Sequence, residues 1–136
     1  MIITPYDDLK KEVEEIQAFA EITVSEDMAE VVNRGNDIVV YIARTGKMQA
    51  DARYHLEVKR KGGALHVVSQ LMEGVKMSAT VQNALINSLS AEELSLYESI
   101  ERLNRTCTHQ LEWCRTLISK AKEEMRLSNI GREFSR

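Results

Sequence analysis

Few side chains in this 136-residue sequence have both the type and the spacing that chemistry requires. Cys107, His109 and Cys114 put three soft donors within eight residues. On a helix, however, His109 points about 200° away from Cys107, and Cys114 stands two turns further on. No CxxC or HExxH spacing and no fourth donor accompanies them, so neither a metal nor a cofactor is expected. Thiols seven residues apart on a helix are separated by about 10 Å of rise, beyond disulfide reach. They read as reduced residues serving as small core hydrophobes. His55, His66 and His109 lack a nucleophile and a carboxylate at triad-like spacing. The acid pairs Glu92-Glu93 and Glu123-Glu124 fit solvated helix faces better than acid–base dyads. No glycine-rich loop follows a strand. The expectation is a protein that is not an enzyme.

Binding chemistry has more support. Arg44, Lys47, Arg53, Lys59, Arg60 and Lys61 are interleaved with Tyr41 and Tyr54, the mixture of cations and stackable rings that single-stranded DNA binders use. Wound into a helix, these bases scatter around the cylinder, and Lys47 can pair with Asp51 at i,i+4. The compact group Lys59-Arg60-Lys61, beside Gly62-Gly63, is the best candidate for phosphate contact, with Arg44 behind it. A second candidate set is Arg102, Thr106, His109, Trp113, Thr116 and Lys120, which share a side about 120° from a long apolar stripe. Trp113 there either packs on a neighbouring helix or subunit, or stacks on a base between Arg102 and Lys120.

The elements that must carry these residues follow from composition and period. Hydrophobic residues make up 43% of the chain and charged residues 29%, as in ordinary globular proteins, but aromatics are only 5% and Pro5 is the single proline. That profile disfavours an all-β fold, which needs frequent turn residues. The longest apolar run, Ile38 to Ala43, is far short of the roughly 20 residues that span a bilayer. The N-terminal residues form no signal peptide, and a cytoplasmic location is expected. The net charge of −3 hides an asymmetry. Residues 1–30 hold nine acids and two bases, residues 31–72 seven bases and three acids, and residues 73–136 nine of each. The acidic head is expected to fold onto the basic middle; attraction to a second copy or to an anionic partner is the alternative.

Thr4 as N-cap and Pro5 as first residue open a helix over about 5–22, with Leu9, Val13, Ile16 and Ala20 on one face. Ser25 is the next cap, and Met28, Val31, Ile38, Ile42, Ala52 and Leu56 carry a long helix over about 26–61, interrupted at Thr45 and Gln49 and open to a kink near Gly46. Gly62-Gly63 is the clearest punctuation, with a helix resuming over 64–72. Residues 73–77 read as a loop. Ser78 caps a short helix over 79–89 that buries Val81, Leu85 and Leu89. A Ser90–Glu93 capping box opens the last helix, 91–126, and 127–136 is expected to fray. On that helix Leu96, Ile100, Leu103, Cys107, Leu111, Cys114, Ile118, Ala121 and Met125 fall in an arc about 80° wide over roughly 45 Å. So narrow a stripe resembles a coiled-coil seam and needs an equally long partner, the 26–61 helix or another subunit. The expected fold is all-α: one domain over 1–126, a long antiparallel helical hairpin or coiled-coil-like bundle with a short connecting helix, forming homo-oligomers.

From Asn33 to Arg126 the chain resembles small helical proteins of bacteriophages and prophage-like elements. The residues carrying the resemblance are Tyr41-Ile42-Ala43-Arg44, Lys47-Met48-Gln49-Ala50-Asp51-Ala52, Ser78-Ala79-Thr80-Val81-Gln82-Asn83-Ala84-Leu85 and Glu101-Arg102-Leu103-Asn104-Arg105-Thr106-Cys107-Thr108-His109-Gln110. The layout is similar to that of UvsY-like recombination mediators and covers about two thirds of the chain. The resemblance implies single-stranded DNA binding, oligomerisation through helices, and help in loading a recombinase. The acidic first 30 residues depart from that pattern. A helical adaptor, assembly factor or inhibitor that binds a partner protein, without nucleic acid, is the competing expectation.

Overall fold

Four helices, α1 (Tyr6–Ala20), α2 (Met28–Met72), α3 (Ala79–Leu89) and α4 (Ala91–Phe134), make up the computed structural model, which describes residues 2–134. No strand occurs among the described residues. The 45-residue α2 and the 44-residue α4 form an antiparallel hairpin. Its register is fixed by contacts that climb one helix as they descend the other: Lys59 with Glu93, Thr45 with Asn104, Arg34 with Gln110. Leu96, Ile100, Leu103, Cys107 and Cys114 of the expected stripe are buried, against Val31, Ile38, Met48 and Ala52 of α2 in the same core. Leu111, Ile118 and Ala121 are half-buried. Met125 is not part of the seam: it is 67% exposed. The α2 helix begins only at Met28, so it cannot accompany α4 to its end. Helix α4 nonetheless continues to Phe134, so 127–134 is helical rather than frayed; 135–136 lie outside the described residues.

The glycine pair does not break α2. Gly63 is buried where α3 crosses α2, and a Cβ there would sit in ordinary contact, 3.5 Å, with Ile86 Cα. What ends the helix is Gly74, at φ +91°, where side-chain-bearing residues rarely go. Its N–H donates to Leu71 O and that of Val75 to Gln70 O, both at 3.1 Å, the paired bonds of a Schellman turn. The helix is likewise continuous at Gly46.

Several local expectations give way to tertiary contacts. Thr4 is not a cap: α1 starts after Pro5 without a side-chain cap bond, because Thr4 binds α2 instead. Asp27, not Ser25, caps α2, accepting from the Glu30 amide; Ser25 donates to the Glu30 carboxylate. Ser78 does cap α3, accepting from the Val81 amide at 3.2 Å. No α3 residue is fully buried, and Val81 and Leu89 are exposed, since α3 meets α2 through Ile86 and Gly63. Ser90 is buried and donates to Ile86 O, and Glu93 turns to Lys59, so no capping box forms.

Helix α1 packs across both long helices, against α4 as well as the first half of α2. Its start is tied down by Thr4, whose N–H donates to Asp51 Oδ2 (3.1 Å) and whose carbonyl lies 2.7 Å from His55 Nε2. Lys47 joins Asp51 at 2.5 Å and also donates to Ile2 O. Mid-helix, Glu12 and Arg44 pair at 2.6 Å. At its end, buried Arg34 donates to Phe19 O, Ile22 O and Gln110 Oε1, stacks 3.8 Å over the Phe19 ring, and stands beside Gln110, which donates to Ala20 O. A cation and an amide thus satisfy carbonyls that every helix leaves open at its C-terminus. The acidic head is folded onto the basic middle.

Candidate nucleic-acid interface

The fold divides the basic residues into those it consumes and those it leaves. Arg44 is half-buried, held by the Glu12 carboxylate and the Thr4 hydroxyl; the Glu12 hydrogen bond raises its already high pKa, more than burial lowers it. Lys47 is spent on Asp51 and the Ile2 carbonyl. Burial alone would push the Asp51 carboxyl up, but the Lys47 ammonium and the Thr4 amide hold it below the usual carboxylate value. Arg44 is therefore not presented to phosphates, and a basic surface over the whole of α2 does not exist.

Beyond the reach of α1 the picture changes. Residues 58–90 contain four bases and one acid, Glu73, and α3 itself carries no charge. Lys59, Arg60 and Lys61 are all exposed on this distal arm. Of the three, only Lys59 is seen in an ion pair, with Glu93 at 3.9 Å, a separation worth little at an exposed site, while Glu57, one turn before Arg60 and Lys61, pairs with Arg53. The three do not share one face, since consecutive helical residues are turned by about 100°, so a strand would have to wrap the arm to touch all of them.

Arg102, Trp113 and Lys120 are exposed on α4, with Trp113 at 59%. Trp113 also borders a cleft of about 240 Å³ with Ile22, Val24, Val31 and Cys114, so part of its ring packs at the junction of α1, α2 and α4. His109 faces Glu112 at 3.6 Å. Trp113 lies twenty residues along α4 from Glu93, the neighbour of Lys59, so roughly 30 Å of rod separates the two candidate sets. The structure does not bring them together.

Cys107 and Cys114 are buried free thiols, and burial raises the Cys107 pKa, offset in part by the Arg34 charge. His109, 75% exposed, is on another side of α4. Among the described residues no three His, Cys, Asp or Glu side chains gather at a common point where a metal could sit. No helix there is long and apolar enough to cross a membrane. Sequence reasoning passed over Arg34 and Asn104, the two polar residues that organise the core. Asn104 donates to Thr45 Oγ1 (2.9 Å) and Ile42 O (3.2 Å), and the Thr45 hydroxyl donates to Tyr41 O, so the fully buried polar break is satisfied on both sides. That bond within its own helix, at 2.7 Å, means that the break at Thr45 left no local sign of a partner on α4. Comparison with protein-family models, with characterised proteins and with solved structures finds no match for this chain.

Proposed function

We propose that the protein is a non-enzymatic accessory factor of a phage or mobile element that holds single-stranded DNA along its distal arm, working in the cytoplasm in the manner of a recombination mediator. The supporting observation is the division of charge: the acidic head takes up Arg44 and Lys47, while Lys59, Arg60 and Lys61 remain exposed on an arm with four bases and one acid. Phosphate contact by a few cations gives affinity that falls steeply with salt. Fluorescence polarisation with a labelled oligonucleotide at two salt concentrations is the test. Binding is expected at low salt. Replacing Lys59, Arg60 and Lys61 with glutamate should abolish it, and neutral replacements should flatten the log–log salt slope by about two, at roughly 0.7 per lost contact. An oligonucleotide that stays unbound at low salt ends this reading.

The second reading is a helical protein-binding module. It is favoured by the end of α4, where Met125, Leu127 and Phe134 are exposed on a helix that has outrun α2. The same charge reversal discriminates, because binding of a helical partner there would be indifferent to it.

A further inference from the structure

Where the end of α1 meets the start of α2 and the middle of α4, the cleft of about 240 Å³ beside Trp113 has an apolar floor and one charged corner. Val31 and Ile38, both fully buried, lie beneath it, and Ile22 and Trp113 wall it while staying 60% and 59% exposed. Arg34 and Gln110 make the corner, and no carboxylate lines the cleft. The volume exceeds the roughly 150 Å³ that admits benzene and falls short of the roughly 300 Å³ at which sites for drug-sized ligands begin.

Arg34 is only 8% exposed, yet no carboxylate pairs with it among the described residues. Its acceptors are two backbone carbonyls and the Gln110 amide, and the carbonyls of a helix end amount to about half a negative charge. All three bonds leave from Nη2, so Nε and Nη1 have no partner. No buried side-chain nitrogen among the described residues is left without one. These two donors therefore reach the open space of the clefts that Arg34 borders, this one and a more open one beside Phe19. Glu30 and Asp37 line the second cleft, but both are exposed and neither pairs with Arg34. Charges standing in water act on the guanidinium far less than a carboxylate in contact with it. Buried cations are ordinarily paired.

We infer that the first cleft binds a small organic acid whose apolar body is about the size of a phenyl ring. The body lies over Val31 and Ile38 against Trp113, and the carboxylate accepts from Arg34. Such a ligand supplies the counter-charge that the fold withholds, through a charge-assisted hydrogen bond in a site partly closed to water. It also covers the apolar walls at Ile22 and Trp113.

This goes beyond the DNA reading and is tested without nucleic acid, so the two can fail separately. Trp113 is the single tryptophan and reports from the cleft wall. Titrating the full chain with 3-phenylpropionate should change its fluorescence saturably, with a dissociation constant of about 4 mM or below, as ordinary efficiency gives a ligand of this size. 3-Phenylpropanol, which has the same body without the charge, should bind at least about tenfold more weakly. Arg34→Gln should remove that preference. Because Arg34 also holds the end of α1, Val24→Phe gives a second readout: it fills the cleft, leaves the guanidinium in place, and should abolish binding with helical circular dichroism intact. No saturable change in wild type, equal affinity for acid and alcohol, a folded Arg34→Gln that keeps the preference, or full binding by Val24→Phe overturns the proposal.

Discussion

At Asp51, burial and pairing oppose each other, and pairing wins. The carboxylate is 3% exposed, yet two donors, the Lys47 ammonium and the Thr4 amide, keep its pKa below the ordinary value. A folded pKa below the unfolded one, about 3.9, means stability that is fully present above that value and lost as pH falls through the lower folded value. Asp51→Asn should therefore be less stable than wild type at neutral pH, with the gap closing below about pH 4, as read from denaturant unfolding at a series of pH values. Asp51 and Lys47 were legible as an i,i+4 pair. That the pair also anchors residues 2–4 was not, because nothing local shows which distant backbone will arrive.

Periodicity located the helices and most of their ends to within two residues, missing only the continuation of α4 to Phe134, but it did not tell how deeply each residue is buried. Ile100 is fully buried and Met125 is 67% exposed, though both sit on the same 3.6-residue stripe. Ile100→Ala should cost about 2–5 kcal/mol in urea unfolding, the range for a large-to-small change in a filled core. Met125→Ala should stay within about 0.5 kcal/mol, as for other surface changes. A period says which face a residue occupies, while burial depends on whether the neighbouring helix is long enough to reach it. Gly62-Gly63 and Gly74 teach the same lesson. Two consecutive glycines look like the stronger break, but α2 runs straight through them beneath Ile86, and the lone Gly74 takes the positive φ that stops the helix.

As a whole the molecule is a rod. The 45 residues of α2 span roughly 68 Å, and α3 followed by α4 lines it along most of that length. Small-angle scattering should give a radius of gyration of about 20 Å or more, against about 14 Å for a compact globule of this length. A value near 14 Å would mean that the hairpin folds back on itself in solution. The head helix is acidic and takes up the cations it reaches, while Lys59, Arg60 and Lys61 lie beyond it and stay exposed, and that division underlies the proposed DNA contact.

By itself the sequence determined the all-α class, the two long helices, their antiparallel pairing and the inward face of each. Those properties follow from period and composition, which are local and repeat many times along the chain. Only the tertiary structure decided that the long seam closes within one chain as far as Ile118, and that the acidic head consumes Arg44 and Lys47 but not Lys59, Arg60 and Lys61. Each of these depends on the relative reach and register of separate helices. Register is set by single long-range contacts such as Arg34 with Gln110 and Asn104 with Thr45, and one such contact leaves no period to read.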